Sequence, residues 1–105
     1  MKKISLTLTL LLTFNIQAES QVDRYCLLIE KFSEKIMSIR QEGRSLEEVM
    51  KMYNEGLEGD NSTYEVFKKL IFKAYETPLY KYRKDETINE FKNKYYLQCL
   101  IQYNN

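Results

Sequence analysis

SQVDRYCLLIEKFSEKIMSIRQEG, residues 20–43, is the stretch that decides the fold. Val22, Tyr25, Ile29, Phe32, Ile36 and Ile39 recur at alternating steps of three and four. That period gathers side chains into one stripe of an α-helix. Gly43 follows, the residue type that most readily takes the left-handed position closing a helix. The spacing predicts a helix from about Ser20 to Glu42 with one face to bury.

Towards the C-terminus the same reading repeats three times. Ser45-Leu46-Glu47-Glu48 is a capping box, in which the serine hydroxyl accepts from the third backbone N–H and Glu48 reaches back. Leu46, Val49, Met50, Tyr53 and Leu57 then share a face, and Gly56, Gly59 and Asp60-Asn61 end the second helix. Ser62 or Thr63 is placed to cap a third, with Tyr64, Phe67, Leu70, Ile71, Ala74 and Tyr75 as its stripe. Thr77-Pro78 stops it, because the residue before a proline avoids the helical region. Leu79 to Lys84 reads as a connector. Asp85 is placed to cap the last helix, whose stripe is Ile88, Phe91, Tyr95 and Cys99, with Leu100 and Tyr103 beside it. No segment alternates as a strand does. The expected fold is all-α: a small four-helix antiparallel bundle with short connections.

Towards the N-terminus the character changes. Residues 1–18, MKKISLTLTLLLTFNIQA, open with Lys2 and Lys3 and continue into an apolar run from Ile4 to Phe14. Ile16-Gln17-Ala18 supplies a small residue at −1, so the stretch reads as a signal peptide cleaved after Ala18. Ile4 to Ala18 makes about 22 Å of helix, against a hydrocarbon core of roughly 30 Å. No cysteine follows to carry a lipid. The segment predicts export to the periplasm or beyond, leaving one helical domain over residues 19–105.

Composition narrows the chemistry. The chain has 105 residues, 16 Lys and Arg, 15 Asp and Glu, and no His or Trp. Without imidazole there is no His-based triad, no His-ligated zinc and no His-held haem. Over residues 19–105 the charges nearly cancel, but Glu19–Glu65 carries 6 basic and 11 acidic side chains while Val66–Asn105 carries 8 and 4. Such a dipolar chain pairs its own halves or offers a basic surface to a partner.

The two cysteines fit the expected topology. Cys26 lies near the start of helix one and Cys99 near the end of helix four, which an up-down-up-down bundle brings to the same side. An exported chain meets an oxidising compartment, so a Cys26–Cys99 bridge is expected. Closing a loop of about 74 residues is worth roughly 4.4 kcal/mol in the chain-entropy account, an upper-end figure. The competing reading, a redox-active dithiol, usually takes a Cys-x-x-Cys spacing.

Few other groupings carry chemistry. Tyr64, Phe67, Phe72, Tyr75, Tyr80, Tyr82, Phe91, Tyr95, Tyr96 and Tyr103 crowd the second half, mostly at helical spacing, as core that lets hydroxyls reach water. Tyr80-Lys81-Tyr82-Arg83-Lys84 interleaves bases with aromatics, a pattern that suits phosphates and ring stacking. It serves equally as a connector whose tyrosines pack inward, and Asp85-Glu86 follows at once. Glu55, Glu58, Asp60 and Asn61 gather oxygens near two glycines without the twelve-residue spacing of a calcium loop. Asn61-Ser62-Thr63 matches a glycosylation sequon but reads better as a helix start. Glu47/Glu48 and Asp85/Glu86 sit where helix starts favour negative charge. Ser33 and Ser38 have no recognisable base, and no nucleophile elbow or phosphate loop occurs. Neither catalysis, a metal nor a cofactor is expected.

Several segments together carry a resemblance: Cys26; Ile39-Arg40-Gln41-x-Gly43; Ala74-Tyr75-Glu76-x-Pro78-x-Tyr80; and Ile88-x-x-Phe91-x-Asn93-x-x-Tyr96-x-x-Cys99. With the signal peptide, the chain resembles a loosely defined group of small exported helical proteins of phages, prophages and Gram-negative hosts. The resemblance implies the paired-cysteine helical domain and supplies no active site. The expected function is stoichiometric binding to a protein partner in the cell envelope, of the inhibitor or modulator kind. Tyr80, Lys81, Tyr82, Arg83 and Lys84 are the expected contact residues, and nucleic acid is not an expected partner. The alternative is a module holding a lipid or small apolar molecule between its helices, using Met37, Met50, Met52 and the aromatics.

Overall fold

A computed structural model of the chain describes residues 2–56 and 61–103. Four helices follow one another: α1 (Lys2–Gln41), α2 (Leu46–Gly56), α3 (Asn61–Glu76) and α4 (Lys84–Tyr103), and the described residues contain no strand. α1 begins earlier than its apolar stripe predicts. The segment read as a signal and the first helix of the body form one helix of 40 residues. Neither proline nor glycine interrupts the sequence between them, so nothing breaks the hydrogen-bond ladder there.

α1 is the axis against which α4 and α3 pack most closely. α4 runs antiparallel to it: Cys26 is bonded to Cys99, with Cα atoms 5.6 Å apart. Further along, Lys92 Nζ meets Glu34 Oε2 at 2.7 Å. α3 runs parallel to α1, with Phe32 and Phe67 stacked at 4.2 Å and Arg40 reaching Thr77 at the far end. α2 returns antiparallel, placing Tyr53 6.0 Å from Phe32 and Val49 in the cluster of Ile36. The up-down-up-down order brings the two cysteines to one end, as the spacing predicts.

Two clusters make the core. One gathers Ile36, Met37, Val49, Ile71, Ala74 and Phe91. The other gathers Cys26, Ile29, Phe67, Leu70 and Cys99 around the cystine, and Phe32, Tyr53 and Tyr95 touch both. The buried arc of α1 is wider than the predicted stripe, because α3 and α4 approach from two sides. It therefore takes in Cys26, Ser33, Met37 and Gln41, all 2% exposed or less. Leu46, assigned to the buried face of α2, remains 37% exposed. On α4, Thr87 is buried and Ile88 only half-buried.

The helix ends follow the sequence with two exceptions. Gly43 closes α1 at φ +89°. Glu48 N–H donates to Ser45 Oγ at 3.1 Å, as the capping box requires. α3, however, opens at Asn61, so Ser62 and Thr63 fall within its first turn instead of capping it. α4 opens at Lys84, and Arg83 flanks it by accepting from Thr87 N–H at 2.9 Å. Asp85 thus sits inside the first turn with Glu86, where the helix dipole favours both carboxylates.

Candidate functional site

The connector between α3 and α4 carries the candidate residues, and α1 holds it in place. α3 stops at Thr77, whose N–H donates to Ala74 O at 3.1 Å and whose hydroxyl reaches Lys73 O at 3.3 Å. Arg40 and Gln41, the last two residues of α1, then take hold of the chain. Arg40 Nε donates to Thr77 O at 3.0 Å, and Gln41 Nε2 donates to Pro78 O at 2.8 Å. Gln41 Oε1 accepts from Tyr80 N–H at 2.9 Å. One amide side chain thus satisfies both a carbonyl and an N–H of the connector, as a neighbouring strand would. Gln41 is 2% exposed, a position where an unpaired amide costs about 1–3 kcal/mol.

Arg40 has a second task. Its guanidinium lies 5.0 Å from the centre of the Tyr75 ring. Tyr75 in turn donates its hydroxyl to Arg44 O at 2.7 Å, tying α3 to the turn between α1 and α2. Burial raises the Tyr75 pKa, opposed by the Arg40 charge. The segments Ile39–Gly43 and Ala74–Tyr80, separate in sequence, therefore form one joint.

On this pedestal the five expected contact residues divide. Tyr80 is half-buried, with the Arg83 guanidinium 5.6 Å from its ring. Tyr82 stands at 87% exposure, with Lys81 Nζ 5.5 Å from its ring centre. Arg83 is already engaged by Glu86 Oε2 at 3.2 Å and by Glu90 Oε1 at 3.6 Å. The hydrogen bond that it donates to Glu86, then the charges of Glu86 and Glu90, raise its pKa. Lys84 is the first residue of α4 and is exposed. Of the three bases of the run, Arg83 is the one that two carboxylates, those of Glu86 and Glu90, compensate in place.

No protein family model, curated protein or solved structure matches this chain.

Elsewhere the groups singled out in the sequence have structural surroundings. The cystine is closed in by Ile29, Phe67 and Leu70, with Cys26 fully buried and Cys99 6% exposed. Tyr53, held between α1 and α3, donates to Tyr64 O at 3.1 Å, and its pKa is pushed up to about 12, first by burial and then by Tyr64 and Glu65. Glu58 and Asp60, half of the calcium candidate, lie outside the described residues; among those described, no group of three acidic, Cys or His side chains could hold a metal. Glu47 and Glu48 occupy the first turn of α2. Ser33 is fully buried and its hydroxyl has no hydrogen-bond partner.

Two hollows flank α1. A polar groove of about 910 Å³ runs between α2 and α4, with Lys31, Lys35, Arg44 and Lys92 interspersed with Glu34 and Asp85. An apolar recess of about 220 Å³ opens beside it, lined by Phe32, Ile36, Val49, Met52, Tyr53 and Ile71. Of the methionines expected to hold an apolar ligand, Met37 is wholly core and Met52 lines this recess. The recess is smaller than the roughly 300–1,000 Å³ of most ligand pockets.

What sequence reasoning missed is Gln41. It had a signal: a polar residue four positions after Met37 and eight after Ser33, on the inward side of a helix.

Proposed function

We propose that this chain is an exported, disulfide-stapled helical protein that works by stoichiometric contact with a protein of the cell envelope, presenting Tyr82 as the anchor. The observation carrying this reading is an 87% exposed tyrosine on a connector whose base is fixed to α1 by three hydrogen bonds. An aromatic ring held in place loses little freedom on binding, which is why tyrosine serves so well at the centre of interfaces. Lys81 accompanies it, while Tyr80 and Arg83 serve as the base on which the tip stands. The electrostatic closure of Arg83 by two glutamates favours a protein surface over a polyanion.

Capture from periplasmic extract with Tyr82→Ala beside the wild type tests the reading. Tyr82 is 87% exposed and gives up little packing on truncation, so the variant keeps the fold, and circular dichroism checks that it does. A partner retained by the wild type should fall at least about tenfold in recovery, the loss of one hot-spot side chain. Identical recovery of every protein by both would remove the connector from consideration.

A further inference from the structure

Between α2 and α4 the outer face of α1 stays open. Lys31, Glu34, Lys35 and Glu42 are exposed there and line the polar groove of about 910 Å³. The apolar recess of about 220 Å³ is continuous with it, since Lys35, Ile39 and Met52 line both hollows. Met52, at this junction, is 46% exposed. The recess falls short of the roughly 300–1,000 Å³ of a pocket that holds a ligand by itself. It suits one large side chain of a longer occupant lying in the groove. From Lys31 to Glu42 the groove follows α1 for about 16 Å, or three helical turns.

The charges of the groove divide along that length. Towards the cystine lie Lys31, Lys35 and Lys92 against one carboxylate, Glu34, which Lys92 already takes at 2.7 Å. Lys31 and Lys35, one turn apart on α1, pair with no carboxylate among the described residues. Like charges at that spacing destabilise a helix, so an anion brought to them is favoured. Towards Gln41 lie Glu42 and Asp85 against Arg44, which Glu42 and Glu48 share at 3.7 Å each. Asp85 belongs to that end because α4 runs antiparallel to α1, and Asp85 lies about 10 Å back along it from Lys92. The walls are helices whose backbone groups are spent on their own ladders, so they offer an extended segment no edge to pair with. The occupant must satisfy its own backbone, as a helix does. A helix is partly positive at its N-terminus and partly negative at its C-terminus, so in this groove its C-terminal end lies over Lys31.

We propose that the groove between α2 and α4 takes an amphipathic helix of a partner protein, laid antiparallel to α1. It seats one large apolar side chain in the recess and, about one turn later, brings a carboxylate to Lys31 and Lys35. Tyr82 is not among the residues lining the groove, so the proposal stands without the contact of that tyrosine.

Two end-blocked, alanine-based peptides of about 15 residues, long enough to hold a helix, are the probes. Each has a phenylalanine at its centre; one carries glutamates in the turn that follows, the other lysines. They are titrated into the full oxidised chain with carbon-13 in its methionine methyl groups, where Met52 reports on the recess. The glutamate peptide should shift the Met52 methyl resonance saturably and bind at least about tenfold more tightly than the lysine peptide. Lys31→Glu/Lys35→Glu should reverse that order, and circular dichroism should show unchanged helix content, since both side chains are exposed. Alanine in place of the central phenylalanine should abolish the shift. Equal binding of the two peptides, an order that the double variant leaves unchanged, or no shift with either overturns the proposal. So does decanoate outcompeting the glutamate peptide, which would make the site one for a small apolar anion. A dimer of the chain that the double variant takes apart overturns it as well, because a second copy would then fill the groove.

Discussion

Two polar residues buried on α1 have opposite situations. Gln41 is fully used by the connector, whereas the Ser33 hydroxyl is buried with nothing to bond. A buried hydroxyl without a partner costs about 1–3 kcal/mol, and alanine is the better helix former. Ser33→Ala should therefore stabilise the fold by about 1 kcal/mol, raising Tm by roughly 4–8 °C for a domain of this size. A thermal melt in which Ser33→Ala loses stability would mean that the hydroxyl has a partner, such as a bound water. Neither residue was legible as buried. Apolar periodicity finds where leucine and isoleucine point, and it passes over a serine whose small size lets a neighbouring helix close in. The same blindness left the basic connector undivided: sequence gives Arg83 and Tyr82 equal standing, and the approach of Glu86 and Glu90 to Arg83 separates them.

At the scale of the helices, the sequence was most legible where a stop or start has a local cause. Gly43 adopts φ +89° and Ser45 accepts from Glu48 N–H, as a glycine stop and a capping box dictate. A Cβ at Gly43 would meet nothing within 4 Å, so the cost of Gly43→Ala is the backbone's alone. It should destabilise by about 1–2 kcal/mol, the penalty of the left-handed region for an ordinary residue. Chemical denaturation would show this as a lower midpoint with unchanged slope; an unaltered midpoint would mean that the turn relaxes freely. Helix starts without such a cause were misplaced by two or three residues at Ser62 or Thr63 and by two at Asp85. The helix read from about Ser20 is continuous with the segment before it, because no proline or glycine separates a targeting pattern from a helix pattern there. The stripe read for α4 does face the core: Phe91 and Cys99 are buried in it, with Ile88 and Tyr95 packed against them.

For the whole molecule, the architecture depends on two fastenings at opposite ends of α1. One is the joint of Arg40, Gln41, Tyr75 and the connector; the other is the cystine. With a sequence separation of 73, the cystine closes most of the body into one loop, worth roughly 4.4 kcal/mol against a total stability on the order of 5–10 kcal/mol for a small domain. Cys26→Ser/Cys99→Ser should thus lower Tm by roughly 20–30 °C, measured by circular dichroism. A fall of only a few degrees would show that packing around Phe67 and Leu70 carries that end without the bond. This pairing was fully legible, since only two cysteines exist and the helix order brings them together. The contact proposed for Tyr82 was legible only as a five-residue run, because exposure is a property of the folded body.

The position of the cystine also decides what damage does to the molecule. Any single backbone cut between Cys26 and Cys99 falls inside the covalent loop, so both pieces stay attached. A nicked copy keeps its mass apart from one added water, and it separates into fragments only after a thiol reductant is supplied. Among proteases, a chain closed in this way remains one object after its first injury.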